Sequence, residues 1–302
     1  VRTVEFAGQQ LQFSGSARDA YFTSGIPRCL VDDPVFACSS LYVNADAVVF
    51  DVGANIGVSA AAYSLLAPQG VVHCFEPSPD NFHYLQQNVR HNRLTNTILN
   101  QQAVSAQDGT LTFVASKDFG AGSFVADETT LAARHHQDEI ITVACTTLDQ
   151  YVHSADIKRV DFIKIDVEGH ELSVLDGATA TLDRFKPLVV LEFNSYALTT
   201  HGHVLTPVFL ERLFDTFPYV YVIHPRGQIS PLRTDAEKHS LIHDNMTMGR
   251  TDNLLCAFTV PAQARSATAV TVPFRSRSKD VVKQAFKLIP AGLRRTLRDL
   301  LE

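Results

Sequence analysis

The chain contains no tryptophan and only two methionines in 302 residues. Cysteine is sparse: five, at Cys29, Cys38, Cys74, Cys145 and Cys256, with no CxxC pair. An odd number at wide spacing argues against a disulfide framework and against a cysteine zinc site. Cys74, Cys145 and Cys256 lie inside apolar, strand-like runs and read as buried thiols, so a reducing, cytoplasmic compartment is expected. Glycine (15) and proline (13) are too few for a collagen-like or low-complexity chain, and 45% hydrophobic residues are too many for a disordered one. Apolar runs of membrane-span length are missing too, because the longest candidate, 47–67, is broken by Asp51, Asn55 and several Gly and Ser. Residues 1–13 mix polar and apolar side chains without the apolar centre of a secretory leader. The first residue is Val1, so the chain is expected to be trimmed or excised from something longer. An overall basic excess is absent as well: 26 basic against 32 acidic side chains gives −6, which argues against a nucleic-acid partner.

What is present is an alternation of strand-like and helix-like segments. Apolar strands are expected at 47–52, 71–75, 97–104, 160–165, 188–193, 219–223 and 254–260, with further strands at 110–115 and 140–145. Between them fall an Ala-rich helix over 58–66 and a helix opened by Ser78-Pro79 and running to about 91. Further helices begin near Glu171 and span 207–216. This order predicts an α/β fold with a doubly wound, mostly parallel sheet and an antiparallel edge strand.

Three regions are expected. Residues 1–45 form an N-terminal extension packing on the core, 46–264 the catalytic domain, and 265–302 a basic amphipathic helical tail. The tail is distinct in charge: residues 275–302 carry 8 basic and 3 acidic side chains, net +5. Its apolar residues recur at helical spacing, with Pro290 dividing two short helices. Such a tail packs on its own domain, on a partner domain, or at the inner membrane surface.

Ligands of doubly wound sheets sit at the carboxyl ends of the strands. Polar residues stand at several of those ends: Asp51 with Gly53, Asn55 and Gly57; Glu76; Gln102; Asp166 with Glu168; and Glu192 with Asn194. The turn after Phe50 opens a helix, as a phosphate-binding or adenosine-binding loop does. The dinucleotide fingerprint fails here, because its glycine places fall on Asn55, Gly57 and Ala60. Asp51 would suit a cationic amino group, and Glu76, 19 residues after Gly57, the two hydroxyls of a ribose. Asp166, Glu168, His170 and Glu171 fall within six residues at the same edge, although Asp166 could be a turn former and Glu171 a helix-terminus residue.

Together, FDVGANIG at 50–57, FEPSPDNFHYL at 75–85 and KIDVEGHE at 164–171 resemble the FkbM-type S-adenosylmethionine-dependent methyltransferases. The likeness covers about residues 40–195 and extends loosely to 260. It implies a class I methyltransferase fold, S-adenosylmethionine as cofactor, and methyl transfer to a hydroxyl of a saccharide, a glycan or a secondary metabolite. Carried over by position, Asp51, Gly53, Asn55 and Gly57 would line the methionine part, Glu76 the ribose, and Gln102 and Ala103 the adenine. Asp166 would sit near the sulfonium and the acceptor.

Deprotonating an alcohol calls for a base, and Asp166 with His170 are the first candidates, supported by Glu168 and Glu192. Asp166, Glu168, Glu192 and Asn194 could instead hold magnesium, but spacing alone does not establish a metal and none is assigned. His135, His136, His201 and His203 are expected as solvated loop residues, and 119–136 as a lid or a plain surface loop. The rival functions are an NAD-dependent oxidoreductase and a non-catalytic binding module on the same fold.

Overall fold

The computed structural model of the chain describes residues 1–127 and 138–261. The chain opens with a hairpin of β1 (Arg2–Phe6) and β2 (Gln9–Phe13), followed by helix α1 (Pro34–Tyr42). Then come β3 (Val48–Val52), α2 (Val58–Leu66), β4 (Val71–Phe75), α3 (Pro79–His91), β5 (Thr97–Asn100), β6 (Ala103–Val104), β7 (Gly109–Ala115), β8 (Phe124–Val125) and β9 (Glu139–Thr146). The second half holds α4 (Leu148–Ser154), β10 (Phe162–Ile165), α5 (Glu171–Asp176), α6 (Thr179–Phe185), β11 (Leu188–Phe193), α7 (Ser195–Thr200) and α8 (Thr206–Thr216). It closes with β12 (Tyr219–Ile223), β13 (Ile229–Pro231), α9 (Asp235–Met248) and β14 (Asp252–Ala257).

The main sheet runs in the order β13-β12-β14-β11-β10-β3-β4-β5. From β11 to β5 the neighbours are parallel, and β14, β12 and β13 form an antiparallel edge. Strand order reverses between β3 and β10, so the carboxyl ends of these two strands frame a crevice. Helices cover both faces because successive side chains of a strand point to opposite sides. Val49 and Phe162 join the cluster under α2 and α3, while Phe50, Ile163 and Ile165 join the cluster under α5 and α8. Burying one such Phe or Ile contributes about 1.5–3 kcal/mol. The same alternation puts Asp51 and Lys164 on the α2 face, as register partners across the β3–β10 pair.

The run expected as one strand over 97–104 divides at Gln101 and Gln102. β5 stays in the main sheet beside β4, and β6 pairs with β9 in a second sheet of order β6-β9-β7-β8. The polar pair ends the apolar alternation just where Glu76 N–H takes the Asn100 carbonyl, the last rung on that edge. The second sheet thus leaves the main one beside the crevice.

In the N-terminal segment, Val4, Phe6, Leu11 and Phe13 are buried in the same cluster as α2 and α3. The Asn88 side chain of α3 bridges this segment to the crevice loop, accepting from Ser14 N at 2.7 Å and donating to Ser14 O and Ile56 O. Cys38, Cys74, Cys145 and Cys256 are buried and Cys29 half-buried, all as free thiols. No helix among the described residues is long and apolar enough to cross a membrane. The tail 265–302 lies outside the described residues, as do His135 and His136.

Candidate active site

A cavity of about 400 Å³ opens at the carboxyl ends of β3, β4, β10 and β11. Its floor is the turn after β3. Gly53 there has φ +82°, and a Cβ at this position would lie 1.8 Å from the carbonyl oxygen of Asp166. Only glycine lets the β3 and β10 turns meet so closely.

Glu76, 4% exposed, ends β4 at the cavity wall. One carboxylate oxygen accepts from Asn55 N at 2.9 Å and the other from Ser78 N at 2.8 Å. The Asn81 side chain is a further hydrogen-bond partner, and the carboxylate retains acceptor capacity for a ligand hydroxyl. Burial raises the pKa of Glu76 to about 7, against the opposing effect of those hydrogen bonds. Ser78 also caps α3, accepting from Asn81 N, with Pro79 in the first turn.

Asp51 is placed otherwise than its sequence position implied. It is 0% exposed and does not line the cavity. Its carboxylate accepts from Ser59 Oγ at 2.7 Å and lies 3.5 Å from Lys164 Nζ. The reason is the strand alternation, which turns this side chain under α2 rather than outward. Asp51 therefore supports the cavity through Ser59 and Lys164, both of which line it. Gly57 is also displaced from the ligand: it is the N-cap of α2 at φ +94°, packed against Leu85, and lies outside the lining. Gly53, Asn55, Gln102 and Ala103 do line the cavity.

Lys164 was legible only as the one polar residue in an apolar strand. It is buried, donates to the Gly53 carbonyl at 2.7 Å, and lies 3.3 Å from Asp166 Oδ2. The Asp166 side chain is 45% exposed and faces the cavity. Glu168, at φ +53°, and Glu192 line the same end. The three carboxylates offer oxygens that all lie within 4.8 Å of one another. Burial first, then the charge of the neighbouring carboxylates, pushes Glu168 and Glu192 well above the usual carboxylate range.

His170 also reaches the cavity wall, but Ser105 Oγ holds its Nε2 at 2.9 Å and burial lowers its pKa to about 4. It is thus neutral near pH 7 and a weak base. Glu171 is not a cavity residue: its Oε1 accepts from Val167 N and Gly169 N, each at 3.2 Å, and fixes the turn that carries Asp166 and Glu168. Asn194 caps α7 through Ala197 N and lies outside the lining. His201 is packed rather than solvated. Its ring stacks on Phe124 at 3.9 Å, and its Nδ1 lies 3.1 Å from the Glu168 carbonyl. The far wall is formed by Tyr21, Asp33 and Phe36 of the N-terminal segment and by Phe119 and Gly120. These irregular segments carry no periodicity that would have announced them.

Comparison with known proteins fits this geometry. The model of the methyltransferase FkbM domain matches residues 51–214, more than half of the chain. The chain belongs to the FkbM methyltransferase family. Its relatives include the hexuronic acid methyltransferase AglP of Haloferax volcanii, 32% identical over 146 residues, covering 48% of this chain and 55% of that protein. The 2-O-methyltransferase NoeI of Sinorhizobium fredii is 28% identical over 168 residues, covering 53% and 68%. The 31-O-demethyl-FK506 methyltransferase FkbM of Streptomyces tacrolimicus is 31% identical over 153 residues, covering 43% and 58%. The chain thus spans between about half and two thirds of the length of these relatives.

As an FkbM methyltransferase domain, the chain has the class I fold and uses S-adenosylmethionine. The lining suits that cofactor. Glu76 offers two acceptor oxygens to a pair of neighbouring ribose hydroxyls. Lys164, the only Lys or Arg among the described residues of the lining, is already engaged by Gly53 and the two aspartates. Family and lining together set aside the NAD-dependent alternative.

Proposed function

We propose that this domain transfers the methyl group of S-adenosylmethionine to a hydroxyl oxygen of a saccharide or glycan. The observation that carries this reading is the acceptor end of the cavity, lined by the hydrogen-bond-accepting carboxylates of Asp166, Glu168 and Glu192 and by the Asn253 amide, which can both donate and accept. A polyhydroxylated acceptor supplies the matching donors. Two relatives, the hexuronic acid methyltransferase and the 2-O-methyltransferase, lend support by name. The FK506 relative supports a second reading, O-methylation of a secondary metabolite.

When bound, S-adenosylmethionine supplies a methyl group already activated by its sulfonium. Glu76 holds the ribose hydroxyls, the Gly53–Asn55 turn the methionine part, and Gln102 with Ala103 the adenine. Asp166, Glu168 and Glu192 aim an acceptor hydroxyl at the methyl carbon, which is chiefly a proximity effect. Their oxygens would accept the proton that the hydroxyl loses as its bond to the methyl carbon forms and the methyl–sulfur bond breaks. A positioned base contributes on the order of 10²–10⁴-fold in rate. His170 holds its half of the wall through Ser105 rather than moving the proton. Transfer of radiolabelled methyl from S-adenosylmethionine to a panel of saccharides, set beside polyketide alcohols, tests the reading. Turnover of sugars supports it; turnover confined to non-sugar alcohols selects the second reading.

A further inference from the structure

We infer that Asp166, Glu168 and Glu192 form a binding site for one divalent metal cation, of the magnesium or manganese class, at the acceptor end of the cavity. The inference rests on reading that cavity as the methyl-transfer site and adds a ligand to it. Three observations converge.

The first is donor geometry. One carboxylate oxygen from each residue falls within 4.8 Å of the others, a spread that a single cation with ligands at roughly 2.0–2.6 Å can span. All donors are oxygens, with no sulfur or imidazole in the set, which selects a hard cation over zinc or copper.

The second is an unanswered group. Glu192 Oε2 is closed to solvent and accepts no hydrogen bond among the described residues. Two polar neighbours are engaged elsewhere. The Asn194 side chain caps α7, and Lys164 is turned to Gly53, Asp51 and Asp166. A buried carboxylate oxygen with no donor is costly, and a cation is the ligand that removes the cost.

The third is the local charge. Asp51, Asp166, Glu168, Glu171 and Glu192 surround this end, and Lys164 is the one cation set among them. Within this crowd, Glu171 Oε1 accepts from two backbone N–H groups and Asp51 Oδ2 from Ser59, while Glu171 Oε2 and Asp51 Oδ1, like Glu192 Oε2, accept no hydrogen bond among the described residues. Of the five, Asp166, Glu168 and Glu192 are the three that line the cavity. The turn that carries two of them is held against relaxation. Glu168 keeps a left-handed backbone at φ +53°, and Gly169, at φ +102°, packs 2.4 Å from the Ala197 carbonyl at its would-be Cβ. A cation here, with its remaining positions open, would take neighbouring oxygens of the acceptor.

The test is manganese binding to the full chain, freed of metal by chelation and followed by electron paramagnetic resonance. Calorimetry of S-adenosylmethionine runs on the same preparation. One bound manganese per chain is expected, with magnesium competing. Glu192→Gln should weaken manganese at least tenfold, while Asp183→Asn, on the remote surface of α6, should leave it unchanged. Removing one of several repelling carboxylates does not endanger the fold, so the metal-free Glu192→Gln protein should melt at or above the parent temperature and lose the rise that manganese gives the parent. Absence of saturable manganese binding, or binding that Glu192→Gln leaves intact, overturns the inference. If S-adenosylmethionine binds while manganese does not, the metal site alone falls. If manganese binds through Glu192 while S-adenosylmethionine does not, the methyl-transfer reading falls instead.

Discussion

Lys164 Nζ donates to the carbonyl oxygen of Gly53 at 2.7 Å, so the one buried cation of the crevice anchors the turn that forms its floor. The bond follows from register: β3 and β10 are parallel neighbours, Asp51 and Lys164 are paired across them, and the lysine stem carries its charge to the Gly53 carbonyl, two residues beyond Asp51. From there it also reaches Asp166 at 3.3 Å. One side chain thereby joins the cofactor turn to the acceptor carboxylates.

This arrangement makes Lys164→Met costly. It strands Asp51, which is fully buried, with Ser59 as its remaining partner. Breaking a buried pair by removing one member costs about 3–5 kcal/mol. Asp51→Asn in the same background should recover part of that loss, because the stranded charge disappears. Urea unfolding of the four proteins of the cycle measures the coupling. Strict additivity would show that the two residues do not act as a pair.

Glu76 sets a different expectation, for binding and for pH. Its pKa lies at about 7 in the folded chain, against an ordinary value of 4.5. The folded state therefore holds this proton more tightly than the unfolded state. Its contribution to stability is complete below about pH 4.5 and is lost as pH rises to 7, on the order of 3 kcal/mol in all. Ribose hydroxyls donate best to the ionised form, so S-adenosylmethionine should bind more tightly as pH rises from 6 to 8. Lys164 is the charged group that acts on Glu76, and its positive charge favours the ionised form. Calorimetry at several pH values should give a slope for the parent and none for Glu76→Gln, which should also bind at least tenfold more weakly at pH 8. A slope that survives in the variant assigns it to another group.

His73 carries the opposite sign. It is buried beside Phe50, its Nδ1 lies 2.8 Å from Tyr151 Oη, and burial lowers its pKa from 6.5 to about 4. Here the unfolded chain binds the proton first. The contribution is complete above about pH 6.5 and is lost as pH falls towards 4, again on the order of 3 kcal/mol. His73→Phe removes that acid sensitivity at the cost of one hydrogen bond to Tyr151. Melting temperatures at pH 7.5 and 4.5 should therefore converge in the variant relative to the parent. An equal acid-induced drop in both proteins would place the sensitivity elsewhere.

Much of this site was legible because strand ends are marked in the sequence by abrupt polarity. Glu76 after the run at 71–75, Asp166 and Glu168 after 160–165, and Glu192 near the end of 188–193 all line the cavity. Asp51 was misplaced because it belongs to the strand proper, where alternation and not proximity to the turn decides direction. His170 stood at the right place with the wrong chemistry: the helix start was visible, but Ser105, which tethers it, comes from the second sheet, 65 residues away. The break of 97–104 into two sheets and the wall formed by Tyr21 and Phe36 rest on long-range contacts that no local pattern encodes.

Gly53 and Gly8 separate close approach from backbone strain. Both have positive φ, +82° and +74°, so alanine is strained at either place. At Gly8, in the β1–β2 turn, an added Cβ meets nothing within 4 Å, and Gly8→Ala should cost only about 1–2 kcal/mol of strain. At Gly53 the same atom would meet the Asp166 carbonyl oxygen at 1.8 Å and its carbon at 2.9 Å, both backbone. Neither can rotate aside, so β3 and β10 must part at their ends. That would pull the Gly53 carbonyl from Lys164 and the Asn55 N–H from Glu76. Gly53→Ala should therefore lose at least about 2 kcal/mol more than Gly8→Ala in urea unfolding, and lose S-adenosylmethionine binding where Gly8→Ala retains it. Equal costs with binding intact would mean that the two turns have room to separate and that contact between them does not shape the site.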